Sequence, residues 1–176
     1  VIAQTRTKGV GVMTKAEAIN YGITGPSARA TGYSCDVRKH SPYSIYSELK
    51  FDEVLESAGD SFARYMVRMR EIEQCVSLLE QLCDLLEKEE GNEICAKVPK
   101  LIKLPVGHWF QQVEASRGAF GVYIESDGGK NPYRMHFNSP CLNLIGVVDL
   151  SCSNYKIADL ITITASLDYV IPDIDR

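Results

Sequence analysis

Several acidic residues lie close to an arginine at the C-terminal end of the sequence. Asp168, Asp173 and Asp175 lie close together in sequence, and Arg176 follows them directly. Carboxylates can accept and release protons, and charges of both signs set the electric field of a site. The residue types leave two interpretations open. Such a segment is more commonly a solvated acidic tail, and less commonly part of a site where protons are delivered.

Other residues with chemical potential form no recognisable site. His40, His108 and His136 are far apart, and none has a second ligand three or four positions away. Ser166 lacks the flanking glycines of a nucleophile elbow. The loop 22–32 contains glycines but lacks the complete phosphate-binding pattern. We therefore predict no metal site within this chain and no catalytic residue of its own.

A long helix is predicted between Asp60 and Lys88, and the other elements of the chain should pack around it. Its apolar residues recur every three or four positions and so form one stripe. The stripe consists of Phe62, Tyr65, Met69, Ile72, Val76, Leu79, Cys83 and Leu86. We expect the stripe to be buried and the polar face to be solvated or partnered, so a charge at Leu79 should be severely destabilising. Asp60 or Ser61 should cap the start, and Gly91 should end the helix.

The segments before the long helix are predicted to be short and irregular. Residues 1–13 have β-prone residues, and Thr14 with Glu17 has the spacing of a capping box at the start of a short helix. Residues 22–32 should form a loop with a turn at Pro26. Residues 35–47 should form an extended polar arm.

The second half of the chain predicts a small sheet followed by helices. Pro99 and Pro105 exclude a regular helix from the connector that follows the long helix. Three strands are predicted at 110–115, 119–126 and 133–138, with a glycine-rich turn at 127–131 that favours an antiparallel hairpin. Helical patterns cover 140–148 and 154–167. The predicted fold class is α+β, with a long amphipathic helix, a small antiparallel sheet and a C-terminal helix.

Composition narrows the class of protein. With 176 residues, 45% of them hydrophobic and 24% charged, the chain is typical of one globular domain or a piece of one. The net charge of −4 argues against a nucleic-acid partner.

The apolar run at 160–165 is too short to cross a bilayer, so a membrane should be reached through a partner. Six cysteines without a C-x-x-C pair favour a reducing cytoplasm. Because the chain begins at Val1, we expect it to be the later part of a longer polypeptide.

Seven short motifs occur in an order that resembles one family. They are Gly22-Ile-Thr-Gly-Pro26, Asp36-Val-Arg-Lys39, Gly59-Asp-Ser-Phe-Ala-Arg-Tyr65, Glu114-Ala-Ser-Arg-Gly-Ala-Phe-Gly-Val-Tyr123, Ser126-Asp-Gly-Gly129, Pro132-Tyr-Arg134 and Asp173-Ile-Asp-Arg176. Together they resemble the C-terminal part of the D subunit of respiratory complex I, the proton-pumping NADH:quinone oxidoreductase. That family is similar to the large subunit of nickel–iron hydrogenases. Residues 1–176 match in order, and only the connector 88–106 is unmatched.

The resemblance implies a hydrogenase large-subunit-like fold and a role as one subunit of a quinone-reducing enzyme. The subunit would help form the cavity for the quinone headgroup, near the terminal 4Fe-4S cluster of a neighbouring subunit, and so couple electron transfer to proton translocation. This piece would bind no cofactor itself and be inactive alone. Its partners would be the cluster-bearing hydrophilic subunits, the membrane-arm subunits and quinone. The complex would hold it peripherally on the cytoplasmic side of the cell membrane.

The resemblance also implies which residues border the quinone cavity. The tail matches the family pattern Asp-Ile-Val-x-Gly-Glu-Ile-Asp-Arg at Asp168, Val170, Asp173, Asp175 and Arg176. Pro172 replaces the family's glycine and Asp173 replaces its glutamate, so the carboxylate of Asp173 reaches one methylene less far. Among the charged positions of the tail, replacement of Asp173 by alanine should therefore cause the smallest defect in quinone reduction.

Two alternatives remain at this point. One is a relative of the membrane-bound nickel–iron hydrogenase large subunit, although hydrogenases bind their metal with cysteine thiolates near the C-terminus and residues 168–176 contain no cysteine. The other is a purely structural interaction module.

Overall fold

A computed structural model describes residues 2–88, 95, 97–100 and 102–175 of the chain. Its elements are, in order, α1 (Ile2–Thr7), α2 (Lys15–Asn20), α3 (Gly25–Arg29), α4 (Val37–His40), α5 (Ser61–Leu86), β1 (Gly107–Ala115), β2 (Gly118–Ser126), β3 (Arg134–Asn138), α6 (Pro140–Gly146), α7 (Val148–Cys152), α8 (Ile157–Leu167) and α9 (Ile171–Ile174). Helices and a small antiparallel sheet are combined, with the long helix in the middle of the chain and a further helix near its end. The predicted α+β class is therefore confirmed.

Helix α5 begins and ends close to where the sequence predicts. The carboxylate of Asp60 accepts a hydrogen bond from the backbone N–H of Ala63 at 2.7 Å, which confirms the predicted cap. The helix has 26 residues, and at 1.5 Å per residue it is about 39 Å long. It ends at Leu86, and Gly91, which was expected to end it, lies outside the described residues.

The predicted burial of the apolar stripe is wrong. The buried residues of α5 are instead Ser61, Ala63, Arg64, Val67 and Leu78. Phe62 is half-buried, and the remaining stripe residues are exposed: Tyr65, Met69, Ile72, Val76, Leu79, Cys83 and Leu86. Periodicity shows that a helix has an apolar face, but it cannot show which elements are available to cover that face. Here the neighbouring elements pack on the face that carries Arg64, because buried oxygen acceptors satisfy its charge.

The sheet follows the predicted order. Strands β1, β2 and β3 are antiparallel neighbours in chain order, with Phe110 paired with Tyr123 and Val122 paired with Phe137. A two-residue turn, Ser116–Arg117, joins β1 to β2, and residues 127–133 join β2 to β3. The predicted strands and the predicted hairpin are confirmed.

Among the segments before α5, one prediction is confirmed and the others differ from the structure. The strand expected within residues 1–13 is not found in the described part, 2–13, because 2–7 are the helix α1 and the segment then turns through Gly9 and Gly11. The capping box of Thr14 and Glu17 is present as predicted. The predicted loop 22–32 and the predicted extended arm 35–47 each contain a short helix, α3 and α4. Local composition does not predict the secondary structure of such short segments, because tertiary contacts decide their conformation.

The main hydrophobic core joins the beginning of the chain to its end. Its buried members come from α2 and the residues beside it, from α3, and from α6, the residue that follows it and α8: Met13, Ala18, Ile23, Ala28, Leu144, Val147, Ile163 and Leu167. A smaller cluster, formed by Leu49, Phe51 and Leu78, packs under the second half of α5. Among the described residues, no helix combines the length and the apolar composition needed to cross a bilayer.

Two adjacent leucines of α5 test which face is packed. Leu78 is 6% exposed against Leu49 and Phe51, whereas Leu79 is 60% exposed. Leu78→Ala should lower the free energy of unfolding by about 2 kcal/mol or more, because it leaves a cavity. Leu79→Ala should change it by less than about 0.5 kcal/mol. Urea unfolding of the two variants measures the difference, and equal losses would contradict the observed packing.

Candidate functional site

The acidic tail starts at Asp168, which ends helix α8. Asp168 adopts the left-handed conformation with φ 58°, and its N–H donates to the carbonyl oxygen of Thr164 at 3.1 Å. Aspartate is one of the few residues other than glycine that tolerate this conformation. Arg117, from the β1–β2 turn, donates from Nε to the carbonyl oxygen of Asp168 at 2.9 Å and from Nη2 to its carboxylate at 3.3 Å. The start of the tail is therefore bound to the sheet.

The middle of the tail lies against the start of α6. The N–H of Val170 donates to the sulfur of Cys141 at 3.4 Å, and the hydroxyl of Ser139 donates to the carboxylate of Asp173. Pro172 lies in the first turn of α9, where its missing N–H costs no helical hydrogen bond. The proline that departs from the family pattern therefore fits its local structure, and the shorter side chain of Asp173 has a partner.

The structure brings some of the predicted site residues together and separates others. Val170 and Asp173 line one cleft of about 320 Å³, which Arg117 and Pro172 also border. Asp168 lines two other clefts, and Arg68 lines both of them as well. The side chain of Asp175 is exposed, and Arg176 lies outside the described residues.

The larger of the two clefts beside Asp168 has a mostly apolar wall. Its volume is about 430 Å³, and it lies between α1, the start of α5 and the end of α8. Phe62, Tyr65 and Ala165 contribute apolar surface, while Arg68 and Asp168 are its charged members. A mostly apolar cavity with few polar groups is typical of a site for a small organic molecule.

The second cleft beside Asp168 is lined by charges. It has a volume of about 320 Å³, and its acidic and basic members are Arg29, Arg38, Arg68, Glu71, Glu114 and Asp168. This cleft lies between α5, the end of β1 and the tail. Charges of both signs therefore lie beside Asp168 in this cleft.

A buried ion-pair network forms one wall of the charged cleft. Arg29 is only 2% exposed, and its guanidinium contacts Glu71 at 2.6 Å, Glu114 at 2.7 Å and Asp36 at 3.9 Å. Arg38 binds Asp36 at 2.6 Å. Sequence reasoning missed this network because its members come from α3, α4, α5 and β1. Glu114 and Asp36 occur in the quoted motifs, but nothing in the sequence indicated that they share an arginine.

Burial and charge shift the pKa values within this network. Burial raises the pKa of the Glu114 carboxyl, although Arg29 opposes this shift. Burial would also lower the pKa of Arg29, but Glu114 and Glu71 outweigh it and raise that pKa above its ordinary value. Burial would raise the pKa of Asp36, but the hydrogen bonds and charge of Arg38 leave it lowered. The contacts of the network therefore favour the charged forms of Arg29 and Asp36, whereas burial disfavours the charged form of Glu114.

Two arginines of α5 fix the end of α8. Arg64 is fully buried, and it donates from Nε to the hydroxyl of Ser166 at 2.9 Å. Arg68 donates to the carbonyl oxygens of Ser166 at 2.7 Å and Leu167 at 3.4 Å. Cations at this position also interact favourably with the negative end of the helix dipole. Burial lowers the pKa of Arg64 to about 10, so the side chain is still charged at neutral pH.

The side chains around the tail can form hydrogen bonds, provide charge and transfer protons. In the described part of the chain, no group of three or more histidine, cysteine or acidic side chains is arranged to hold a metal ion. Asp168 and Arg68 instead line a cavity with room for an aromatic ring, and Arg117 binds the carboxylate of Asp168.

Comparisons with known proteins show which proteins this chain is similar to. A family profile described as "Respiratory-chain NADH dehydrogenase, 49 Kd subunit" matches residues 1–176. The NADH-quinone oxidoreductase C/D protein of Bacteroides fragilis is 49% identical over 176 residues, which are 100% of this chain and 33% of that protein. The NADH-quinone oxidoreductase D protein of Desulfotalea psychrophila is 46% identical over 176 residues, again 100% of this chain and 47% of that protein.

A solved structure is similar over almost the whole chain. It is described as the membrane-bound sulfane sulfur reductase (MBS), an archaeal respiratory membrane complex, and the match has a TM-score of 0.92 at 41% identity. The match covers 99% of this chain and 48% of the other. The chain thus spans between a third and a half of the length of these three similar proteins.

The buried network makes a prediction about acid stability. Because the pKa of Asp36 is lower in the folded than in the unfolded state, its contribution is fully present above the unfolded value of about 4. The contribution is lost as the pH falls through the folded value. Asp36→Asn should therefore lower stability by about 1–3 kcal/mol at neutral pH and give a shallower loss below about pH 4.

Urea midpoints measured between about pH 3 and pH 7 check this prediction, within the range where carboxyl groups titrate. Asp52→Asn is the matched control, because it removes the same charge from an exposed position. An acid slope in Asp36→Asn equal to that of the parent chain would show that the network does not depend on this carboxylate.

Proposed function

The chain belongs to the family of the 49 kDa subunit of respiratory-chain NADH dehydrogenase, and on that premise we propose that it forms one side of a quinone-reducing cavity. Its fold is that of the hydrogenase large subunits, as the resemblance predicted. Relatives that contain the whole of this chain are named as subunits of NADH-quinone oxidoreductase. In this proposal, the chain acts as part of such an enzyme and couples electron transfer to proton translocation.

The observation that carries the proposal is the position of Asp168. Asp168 lines both a mostly apolar cleft of about 430 Å³ and a charged cleft of about 320 Å³. A quinone headgroup is an apolar ring with two carbonyl oxygens, so it needs an apolar wall with a hydrogen-bonding group at one end. This arrangement supports Asp168 as a residue that faces the headgroup.

Reduction of a quinone to a quinol consumes two electrons and two protons. In this proposal a 4Fe-4S cluster in a neighbouring subunit supplies the electrons. The residues of this chain contribute protons, hydrogen bonds and charge. Asp168 passes protons to the headgroup, while Arg68 keeps a positive field around developing negative charge on the quinone oxygen.

We further propose that Val170, Asp173, Asp175 and Arg176 continue the border of the cavity beyond Asp168. Val170 and Asp173 share a cleft with Arg117, which gives this part of the tail a defined surface. The carboxylate of Asp173 accepts a hydrogen bond from Ser139, which ties this part of the tail to the start of α6. Asp173 is therefore assigned mainly to holding the tail in place.

The proposed partners are the cluster-bearing hydrophilic subunits and the membrane-arm subunits of such a complex. The exposed apolar stripe of α5 supports contact with further polypeptide, because an isolated soluble surface rarely presents so many large apolar side chains together. In this arrangement the chain is held peripherally at the cytoplasmic side of the membrane.

A second electron acceptor is favoured by one comparison. The similar solved structure at 41% identity belongs to a sulfane sulfur reductase. Sulfane sulfur is therefore the alternative acceptor to test. The hydrogenase alternative has less support, because residues 168–176 provide no thiolate for nickel.

The proposal predicts a specific loss in the intact complex. Asp168→Ala should lower NADH-driven quinone reduction by at least about tenfold, because a proton donor beside the headgroup is lost. NADH oxidation with an artificial acceptor should survive, since those electrons leave before the quinone cavity. Asp173→Ala should give a smaller loss, and the exposed Asp52→Ala is the control for the removal of a carboxylate.

Steady-state rates with both acceptors, measured on purified complex, decide between the interpretations. Loss of both activities together, or failure to assemble, would make the tail a structural brace rather than a cavity border. Parallel assays of the parent complex with a sulfane sulfur compound test the second acceptor.

A further inference from the structure

We propose that Arg117 is a positioning residue, and that the β1–β2 turn sets the place of Asp168 beside the cavity. This inference rests on the proposed role of Asp168 in quinone reduction. Arg117 itself is assigned no contact with the quinone. Its function is to hold the first residue of the tail in one conformation.

The turn that carries Arg117 is held against α3 by close backbone contact. A Cβ added at Gly25 would lie 2.5 Å from the Cα of Gly118, and one added at Gly118 would lie 2.4 Å from Oγ1 of Thr24. Both glycines have positive φ, at 70° and 140°. In addition, the N–H of Ala119 donates to the hydroxyl of Thr24 at 3.0 Å. The turn therefore has little freedom to move relative to α3.

The other side of the same hairpin is anchored in the ion-pair network. Glu114 lies near the end of β1, and its carboxylate binds Arg29 at 2.7 Å and accepts from the N–H of Val37 at 3.1 Å. The N–H of Glu114 donates to the hydroxyl of Tyr43 at 3.1 Å. With both sides of the turn held, the backbone of Arg117 has a defined position from which its side chain reaches the tail.

Arg117 completes a set of contacts at the end of α8. Three consecutive carbonyl oxygens accept hydrogen bonds from two arginines: those of Ser166 and Leu167 from Arg68, and that of Asp168 from Arg117. Carbonyls at a helix C-terminus lack partners within the helix, so these contacts decide how the chain leaves it. Arg117 also holds the carboxylate of Asp168, at 3.3 Å. It therefore fixes both the backbone and the side chain of the proposed site residue.

The partial exposure of the pair distinguishes positioning from stabilisation. The side chains of Arg117 and Asp168 are 33% and 43% exposed. Ion pairs this accessible to water contribute little to folding, typically below about 1 kcal/mol. Removing the guanidinium should thus leave folding and assembly intact and change the geometry of the site instead.

The test is made in the intact complex with Arg117→Ala and Arg117→Lys. Arg117→Ala should lower kcat for quinone reduction by about tenfold, because small displacements of a reacting group are costly. NADH oxidation with an artificial acceptor, the melting temperature and the polypeptide content of the complex should stay unchanged. Arg117→Lys should restore part of kcat, since an ammonium can still bind one of the two acceptors. Arg134→Ala on β3 is the control, because it removes an exposed arginine from the same sheet.

Combination with Asp168→Ala separates this inference from the proposed function. If Arg117 acts through Asp168, adding Arg117→Ala to Asp168→Ala should cause little further loss. A full additional tenfold loss, or a normal kcat in Arg117→Ala when Asp168→Ala is defective, would overturn the positioning role and leave the proposed function standing. Normal quinone reduction in both single variants would overturn the two together.

Arg117→Gln is a smaller change than Arg117→Ala, and it replaces that variant if the Arg117→Ala complex does not assemble. Arg117→Gln retains a hydrogen-bond donor but not the charge or the paired contact. A lowered kcat in an assembled Arg117→Gln complex supports the positioning role, and a kcat equal to that of the parent complex rejects it.

Discussion

The structure depends on the burial of one arginine charge. Arg64 is completely enclosed, and its guanidinium donates to the carbonyl oxygens of Gly11 and Gly59 and to the hydroxyls of Ser61 and Ser166. An unsatisfied buried cation would cost several kcal/mol, so these oxygens must converge on it. They belong to the segment after α1, the start of α5 and the end of α8. One side chain thus brings together segments that are about a hundred residues apart in sequence.

The same face of α5 continues as a row of charged contacts. One turn after Arg64, Arg68 binds the last carbonyls of α8, and Glu71 then binds Arg29 of the buried network. Positions that look solvent-facing in the sequence therefore hold α3, α4, the sheet and α8 around the helix. The apolar stripe is left outside this arrangement. A helix with one face used for internal polar contacts and another left apolar is typical of a chain that packs against further polypeptide.

The tail gains its chemical environment from elements distant in sequence. It leaves α8 at a place set by Arg68 and Arg117, and it then crosses the start of α6. The two clefts that Asp168 lines differ in character, because one lies against aromatic residues of α5 and the other against the ion-pair network. In hydrogenases, thiolates near the C-terminus hold a metal in this fold. Here residues 168–176 carry carboxylates and no thiolate.

The sequence by itself determined the elements whose signals are local and the family to which the chain belongs. The Asp60 cap, the long helix, the three strands and the capping box at Thr14 follow from hydrogen bonds between residues close in sequence or from short repeats. Only the tertiary structure decided which face of α5 is buried, that residues 2–7 are helical, and which residues surround Asp168. Arg29, Glu114 and Arg117 act through partners 42 to 85 residues away. The reason is physical: a charged side chain is buried only where distant groups supply its partners, and periodicity along one segment contains no information about those groups.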